Sequence, residues 1–489
     1  MKLSFIWVER YKGFTNFSLN LASDEKFTYE HESHSLQKTN NNNYIAGLFA
    51  PTITEITAIV GKNGAGKTNC LELICTILEG SMLKYRTDFL AIVKDDDGKY
   101  SIYHNFENQI NANFKYSYTS GRNKIKSLKG IFFSNIHDNR KYNFGREIAY
   151  VTSNNNYGYR NYGLGRAKGN LISSQIDLIS KYGKVIKDEI KISIPTSLGV
   201  ELYVFFDALD FEEGKIFRSS MRKRIKDIVS SRNKFIHSLK YMFLAKLIST
   251  LLSDFGSDFI EYINFNLKDN EPTDVYLEKV SNDIADYISL IIDTHKNDDV
   301  IYEKYSFLQS GFSDFREIED KLHLIDPILN TSVTGYSNYT RYTLKVNEEN
   351  LKVIKTFNYL FGKRGDIRAD WEGISSGSKA YLTLFTMLRE SLKNVRSDTL
   401  ICIDEGDLYL HPSWQIDFLS NLNKMLPNFS NYNIQLVLTS HSPFLLTDLP
   451  HSNVVILEDL YDHPTQEAEI RTFGSNIYDL YSSVFFLNK

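Results

Sequence analysis

Residues 61–68 read Gly61-Lys62-Asn63-Gly64-Ala65-Gly66-Lys67-Thr68, which fits the pattern G-x-x-x-x-G-K-[ST]. Glycines at that spacing let successive backbone N–H groups close around phosphate oxygens. The lysine then reaches the outer phosphates, and the threonine hydroxyl is offered to a Mg²⁺ ion. Phosphate contacts are expected from Asn63, Gly64, Ala65, Gly66, Lys67, Thr68 and Asn69, with Thr68 on the metal. A Gly-rich turn between a strand and a helix can show the same letters. Here a β-branched run, 53–60, comes before the glycines, and Leu71, Ile74, Cys75 and Leu78 recur after them at helical spacing. That context is what the phosphate reading requires, and the start of the helix adds its own partial positive charge.

Further along, the apolar run 399–403 ends abruptly in Asp404 and Glu405, and Asp407 follows. Burying an ionised carboxylate costs several kcal/mol unless a cation or donors meet it. So the acids either emerge into solvent at a strand end or face a metal. With a phosphate loop in the same chain, Asp404 is expected to hold Mg²⁺ and Glu405 to polarise the attacking water. A second apolar run, 434–438, ends in Thr439-Ser440-His441. A histidine after a strand is usually an ordinary turn residue, but in this company His441 reads as a sensor of the γ-phosphate. The expected catalytic pair is therefore Glu405 and His441, and ATP and Mg²⁺ are the expected cofactors.

These groups need a scaffold that brings several strand ends together. Residues 3–9 and 14–21 alternate as two strands, 34–44 reads as a polar loop, and 91–93 with 100–103 flank an Asp97-Gly98 hairpin turn. From about 172 to 340 the spacing turns helical, with apolar faces such as Phe235, Leu239, Met242 and Val280, Ile284, Ile288. No heptad is sustained, so no long coiled coil is expected. Strand and helix patterns then resume. The simplest reading is an α/β domain interrupted by a helical insertion, with parts 1–170, 171–340 and 341–489.

Composition narrows the classes. A net charge of −4 gives no global basic field, so nucleic acid would have to meet a local patch. The three cysteines, Cys70, Cys75 and Cys402, lie in apolar segments without metal-ligand spacing, which suits a reducing cytoplasm. No run of 18 apolar residues suggests a membrane span, and the first ten residues are too quickly charged for a signal peptide.

The order of motifs resembles the ABC/SMC-type P-loop ATPases. Ile374-Ser375-Ser376-Gly377-Ser378 stands where their signature stands, and DEGDLYLHP resembles Walker B followed by the D-loop. Together with SNIHD, ADWEGISSGSKAY, SHSPFLLTDLP and TFGSNIYDLYSSVFFL, these stretches resemble PtuA-like ATPases of Septu antiviral systems, including retron-associated versions. The resemblance implies an ATPase head with Walker A (1–170) and signature, Walker B and His switch (341–489) split by the insertion. It implies a homodimer or higher oligomer, in which Ser375, Ser376, Gly377 and Ser378 meet the nucleotide of a second subunit and Asp407 and His411 lie at the seam. Lys12 corresponds to a turn that touches the nucleotide. Ser134 and Asn135 occupy the Q-loop position, in place of a Gln.

The resemblance also implies a separate HNH-type nuclease as partner, with a reverse transcriptase and retron DNA as further possible partners. Only 48 residues follow His441, too few for a TOPRIM-type nuclease, so cutting is expected from another polypeptide. Lys215 to Lys240 carries nine basic residues against Asp227 alone, which reads either as a solvated helix face or as a stripe for a nucleic-acid backbone. Arg140, Lys141, Arg146, Arg160, Arg166 and Lys168 lie among tyrosines, a pairing that can stack on bases. The rival reading is a repair-type ATPase that clamps DNA directly.

Overall fold

The computed structural model describes residues 1–121, 123–135, 144–145, 147–152, 171–203, 234–263, 272–325, 327–333, 339–362, 367–408, 410–457, 472–477 and 480. Most of the basic stripe 215–240, the tyrosine-flanked basic residues 140–168 and the last segment, 481–489, lie outside the described residues. The chain forms two compact units. The first comprises Met1–Leu171, Tyr182–Ser193 and Ser375–Lys489, and the second comprises Ile172–Lys181 and Ile194–Ile374.

The first unit opens with β1 (Lys2–Tyr11) and β2 (Phe14–Asn20), which pair antiparallel as their alternation predicts. Next come β3 (Glu25–Glu30), β4 (Ser35–Asn40), β5 (Ile53–Gly61) and the helix α1 (Lys67–Leu78). They are followed by β6 (Phe89–Lys94), β7 (Tyr100–His104), β8 (Asn111–Ala112) and β9 (Tyr116–Ser120), then β10 (Leu128–Ser134) and β11 (Ile148–Thr152). The expected loop 34–44 is corrected here. Residues 35–40 form a strand because β3 supplies a full antiparallel ladder, Glu25↔Asn40 through Glu30↔Ser35. Leu36 is its buried anchor, and the polar side chains face outward, which hid the strand in the sequence.

The helix α2 (Leu171–Asp188) leads to the second unit, which holds β12 (Ser197–Tyr203), α3 (Lys234–Ile263), α4 (Thr273–Thr294), α5 (Asp299–Glu319), β13 (Pro327–Val333), β14 (Tyr339–Lys345), α6 (Leu351–Gly362) and β15 (Ile367–Glu372). Beside the expected helices it carries a four-stranded antiparallel sheet in the order β13-β14-β12-β15. Within α3, Phe235–Gly256 is long and apolar enough to cross a membrane, with mean hydropathy 1.3, yet 71% of it is buried within the protein. Leu244, Ile248 and Leu251 pack there with Leu277, Ile284 and Ile288 of α4.

The first unit resumes with α7 (Ser376–Leu392), β16 (Asp398–Asp404), α8 (Pro412–Ile416), α9 (Phe418–Met425), β17 (Ile434–Thr439) and β18 (Val454–Leu457). Its central sheet runs β11-β10-β16-β17-β5-β18, and every pairing in it is parallel. Parallel strands covered on both faces read as continuous apolar runs, as 400–403 and 436–438 do. Because all six strands point the same way, their carboxyl ends share one edge. Ser134, Asp404, Thr439 and Ile59 stand in one row across it.

At the other end of β5 a buried polar network ties the N-terminal strands to the sheet. Lys2 pairs with Asp24 at 2.6 Å and Glu55 at 3.1 Å, and Lys94 pairs with Asp24 at 2.9 Å and Glu25 at 3.0 Å. Burial pushes both Asp24 and Glu25 up, but Lys2 and Lys94 hold Asp24, and Tyr100 and Lys94 hold Glu25, below the usual carboxylate range. A depressed carboxylate stabilises the fold above its unfolded pKa and loses that contribution as pH falls through its folded one. Glu55 runs the other way, raised chiefly by burial. Lys94→Met is therefore expected to cost about 1–2 kcal/mol at pH 7, a buried-pair value reduced for partial exposure. The gap should shrink as pH falls below the ordinary carboxylate range and through the depressed values of the two acids. Urea midpoints of the two proteins at pH 7 and in acid check this, and an equal gap at both refutes it.

Candidate nucleotide site

The strand β5 delivers Gly61 to the shared edge, and Gly64 and Gly66 turn the chain with φ of 82° and 92°. Gly66 caps α1, and its carbonyl accepts the Cys70 N–H at 3.0 Å. The loop curls so that Lys67, 6% exposed, donates to the Gly61 carbonyl at 2.9 Å and the Lys62 carbonyl at 3.0 Å. Burial pushes its ammonium down to about 8, against the pull of Glu405 and Asp404. Asn63 and Gly64 are exposed at the rim and Ala65 is buried. Asn69 accepts from Lys12 at 3.3 Å, and Lys12 also pairs with Glu72 one turn further along α1. Lys12 thus lies beside the first turn of the phosphate-loop helix.

Asp404, at the end of β16, is fully buried. Thr68 donates to both its carboxylate oxygens at 3.1 Å, and Thr439 donates to Oδ1 at 2.6 Å. Burial raises its pKa to about 6, with the two hydroxyls pulling back. A carboxylate and a hydroxyl facing each other are the hard oxygen donors Mg²⁺ takes when phosphates and water complete its shell. Among the described residues no group of three or more His, Cys, Asp or Glu surrounds one point. The residues present therefore fit a metal shared with phosphates rather than a protein cage.

The chain turns sharply at Glu405, which has φ 51°. For a residue with a side chain the left-handed region costs about 1–2 kcal/mol, so something must hold it. Its N–H donates to the Thr439 carbonyl at 3.2 Å and the Thr439 hydroxyl at 3.0 Å. Its carboxylate lies 3.1 Å from His441 Nε2. That contact holds Glu405 below the usual range despite half-burial. Asp407, which the resemblance set at a subunit seam, has its carboxylate turned inward and is 4% exposed. Ser440 donates to it at 2.6 Å, and burial raises it to about 6. His411 caps α8, accepting the Ser413 N–H, and is exposed.

Ser134 and Asn135 both reach this edge. Ser134 is buried in register with Asp404, and Asn135 donates its N–H to the Asp404 carbonyl at 3.0 Å and its amide to the Leu408 carbonyl at 2.9 Å. The residues Ser375–Ser378 lie at the start of α7. Ser375 caps α7 by accepting the Ser378 N–H at 3.1 Å, and Ser375 and Ser376 are exposed. Gly377 leaves room for Trp414, whose ring lies 2.6 Å from where a Cβ would be. Among the described residues, no hydrogen bond joins Ser375–Ser378 to residues 63–69. Thr439 is the residue that sequence reading passed over, since a β-branched residue at a strand end is unremarkable until its neighbours are known.

Residues 1–446 match the family described as "AAA ATPase domain". The chain belongs to that family. It carries an ATPase domain with an α/β fold. The ATPase is also similar to the Retron Vc95 probable ATPase of Vibrio cholerae serotype O1 biovar El Tor, 31% identical over 115 residues, 22% of this chain and 21% of that one. It is similar to the Septu protein PtuA of Bacillus mycoides (strain KBAB4), 30% identical over 122 residues, 24% of this chain and 16% of that one. The Retron Ec83 probable ATPase of Escherichia coli is 27% identical over 161 residues, 31% of this chain and 27% of that one. The matched stretches thus span well under a third of each relative's length.

Proposed function

We propose that the chain is the ATP-hydrolysing regulatory subunit of an anti-phage defence complex, one that holds and controls a separate HNH-type nuclease. The observation that carries the ATPase part is the meeting of Thr68, Asp404, Glu405 and His441 at one sheet edge beside Lys67. The defence setting rests on the similarity to the Septu and retron ATPases.

In this reading the loop amides from Asn63 to Asn69 and the Lys67 ammonium bind the phosphates, and Thr68 and Asp404 hold Mg²⁺. The metal, when bound, neutralises charge on the phosphate oxygens. Glu405 accepts a proton from the water that attacks the γ-phosphorus as the bond to ADP breaks. His441 steers the Glu405 carboxylate and contacts the γ-phosphate. Ser134 and Asn135, tied to the β16 end, pass its position to the neighbouring segment.

Ser375, Ser376, Gly377 and Ser378 serve the site of a second copy. Two exposed hydroxyls at a helix start suit a phosphate presented from outside. Binding then clamps two subunits and hydrolysis releases them. The inward Asp407 supports the His441 segment from within its own subunit.

The test is capture of tagged full chain carrying Glu405→Gln from its native host with ATP and Mg²⁺. A small HNH protein in fixed ratio is expected, with or without a reverse transcriptase and its DNA. Chain bound to DNA fragments without a protein partner overturns the defence assignment in favour of a DNA clamp.

A further inference from the structure

Thr439 makes three contacts that no other residue of the site could replace together. Its hydroxyl donates to Asp404 Oδ1 at 2.6 Å. The same oxygen accepts the Glu405 N–H at 3.0 Å, and its carbonyl takes that N–H at 3.2 Å. A hydroxyl has one proton to give and lone pairs to receive, so a single atom can serve a carboxylate and an amide at once. Valine has the shape but neither function.

We infer that Thr439 is a positioning residue for hydrolysis, one that fixes the acid on the metal side and the acid on the water side against each other. The inference rests on the roles proposed above for Asp404 and Glu405. Its basis is a register and a turn. Thr439 stands opposite Asp404 in the parallel ladder, and it is 2% exposed. Directly after Asp404 the chain leaves the strand through a left-handed residue, Glu405, with φ 51°. That turn carries the Glu405 side chain out of the strand's alternation and towards His441, 3.1 Å away. The Glu405 amide closes the last rung of the ladder on the Thr439 carbonyl, and the Thr439 hydroxyl shares that N–H. One and two residues on, Ser440 and His441 act on Asp407 and Glu405. The end of β17 is therefore a continuous clamp on the end of β16, and Thr439 is its anchor.

A residue that merely fills space predicts a loss of stability. An aligning residue predicts a loss of turnover that depends on the hydroxyl and on Glu405. Steady-state kinetics of the full chain with Thr439→Val should show kcat down at least tenfold, KM for ATP within threefold, and fluorescent ATP-analogue binding in Mg²⁺ within threefold. Thr439→Ser, which keeps the hydroxyl, should recover at least half of the wild-type kcat. In single-turnover assays Thr439→Val should add little to the defect of Glu405→Gln, because contacting residues with one role are not additive. If Thr439→Val folds poorly, Thr439→Ala removes the same hydroxyl without new bulk and must give the same kcat loss. Wild-type turnover in either variant, a Ser variant as slow as Val, or full additivity with Glu405→Gln overturns the inference. Wild-type turnover in Glu405→Gln alone would instead overturn the underlying assignment of Glu405.

Discussion

Replacing Glu405 by Gln should lower ATP hydrolysis by about 10²–10⁴-fold while ATP binding survives, a barrier increase of about 3–5 kcal/mol. The separation of the two effects follows from the geometry. Nothing expected to grip the phosphates is supplied by residue 405: the loop glycines, Lys67, Thr68 and Asp404 all lie outside it. Lys67 loses the pull of Glu405 in this variant but keeps that of Asp404, and bound phosphates add to it. The Glu405 backbone, held by Thr439, is untouched by the change, so the left-handed turn persists. The amide of Gln is close in volume to the carboxylate and still offers an oxygen to His441. What it cannot do is take a proton from water. The variant should therefore accumulate in its ATP-bound form, and in the clamp reading as an associated species in size exclusion with ATP and Mg²⁺. Phosphate release measured beside nucleotide binding separates the outcomes. Hydrolysis at the wild-type rate would remove Glu405 from its role.

Much of the site was legible because its signals are local. A β-branched run feeding a glycine pattern, and an apolar run stopping at two acids, each declare a strand end without knowledge of the rest. Which strands are neighbours is a different matter. The strand β17 lies between β5 and β16, although it is last of the three in the chain. That order is set by long-range parallel pairing, and no local spacing encodes it. For the same reason Thr439 looked like the last residue of an apolar strand, and its hydroxyl acquired a meaning only beside Asp404.

Elsewhere alternation was present but its partner was not visible. The strand β4 is mostly polar and is fixed by its ladder with β3. The second unit's sheet joins β12 to β14 and β15 across more than a hundred residues, so 197–203 fell inside a stretch whose spacing reads as helical, and the strand pattern that resumes after 340 gave no sign of its partners. Burial was also hidden for Asp407. Its place after two acids left it either in solvent or facing a metal, whereas it is buried and accepts a hydrogen bond from Ser440.

The glycine that opens the phosphate loop carries the second large effect. Gly61→Ala should cost about 3 kcal/mol or more and weaken nucleotide binding at least tenfold, because the new atom meets backbone. A Cβ at position 61 would lie 2.0 Å from the Leu457 carbonyl oxygen and 3.2 Å from the Leu457 Cβ. Leu457 pairs with Gly61 at the last step of the β5–β18 ladder, so the clash cannot be relieved by turning a side chain. Gly61 also has φ 149°, a conformation that side chains rarely adopt. Relief requires β18 to separate from β5 or the loop to move. Either shifts the Gly61 carbonyl to which Lys67 donates, and with it the ammonium. Gly64→Ala is the control. Its φ of 82° carries the left-handed cost of about 1 kcal/mol, but nothing lies within 4 Å of the added Cβ. Thermal melts should therefore rank wild type above Gly64→Ala and both well above Gly61→Ala. Equal melting of the two variants would mean that backbone strain alone, and not the approach of Leu457, makes glycine necessary at position 61.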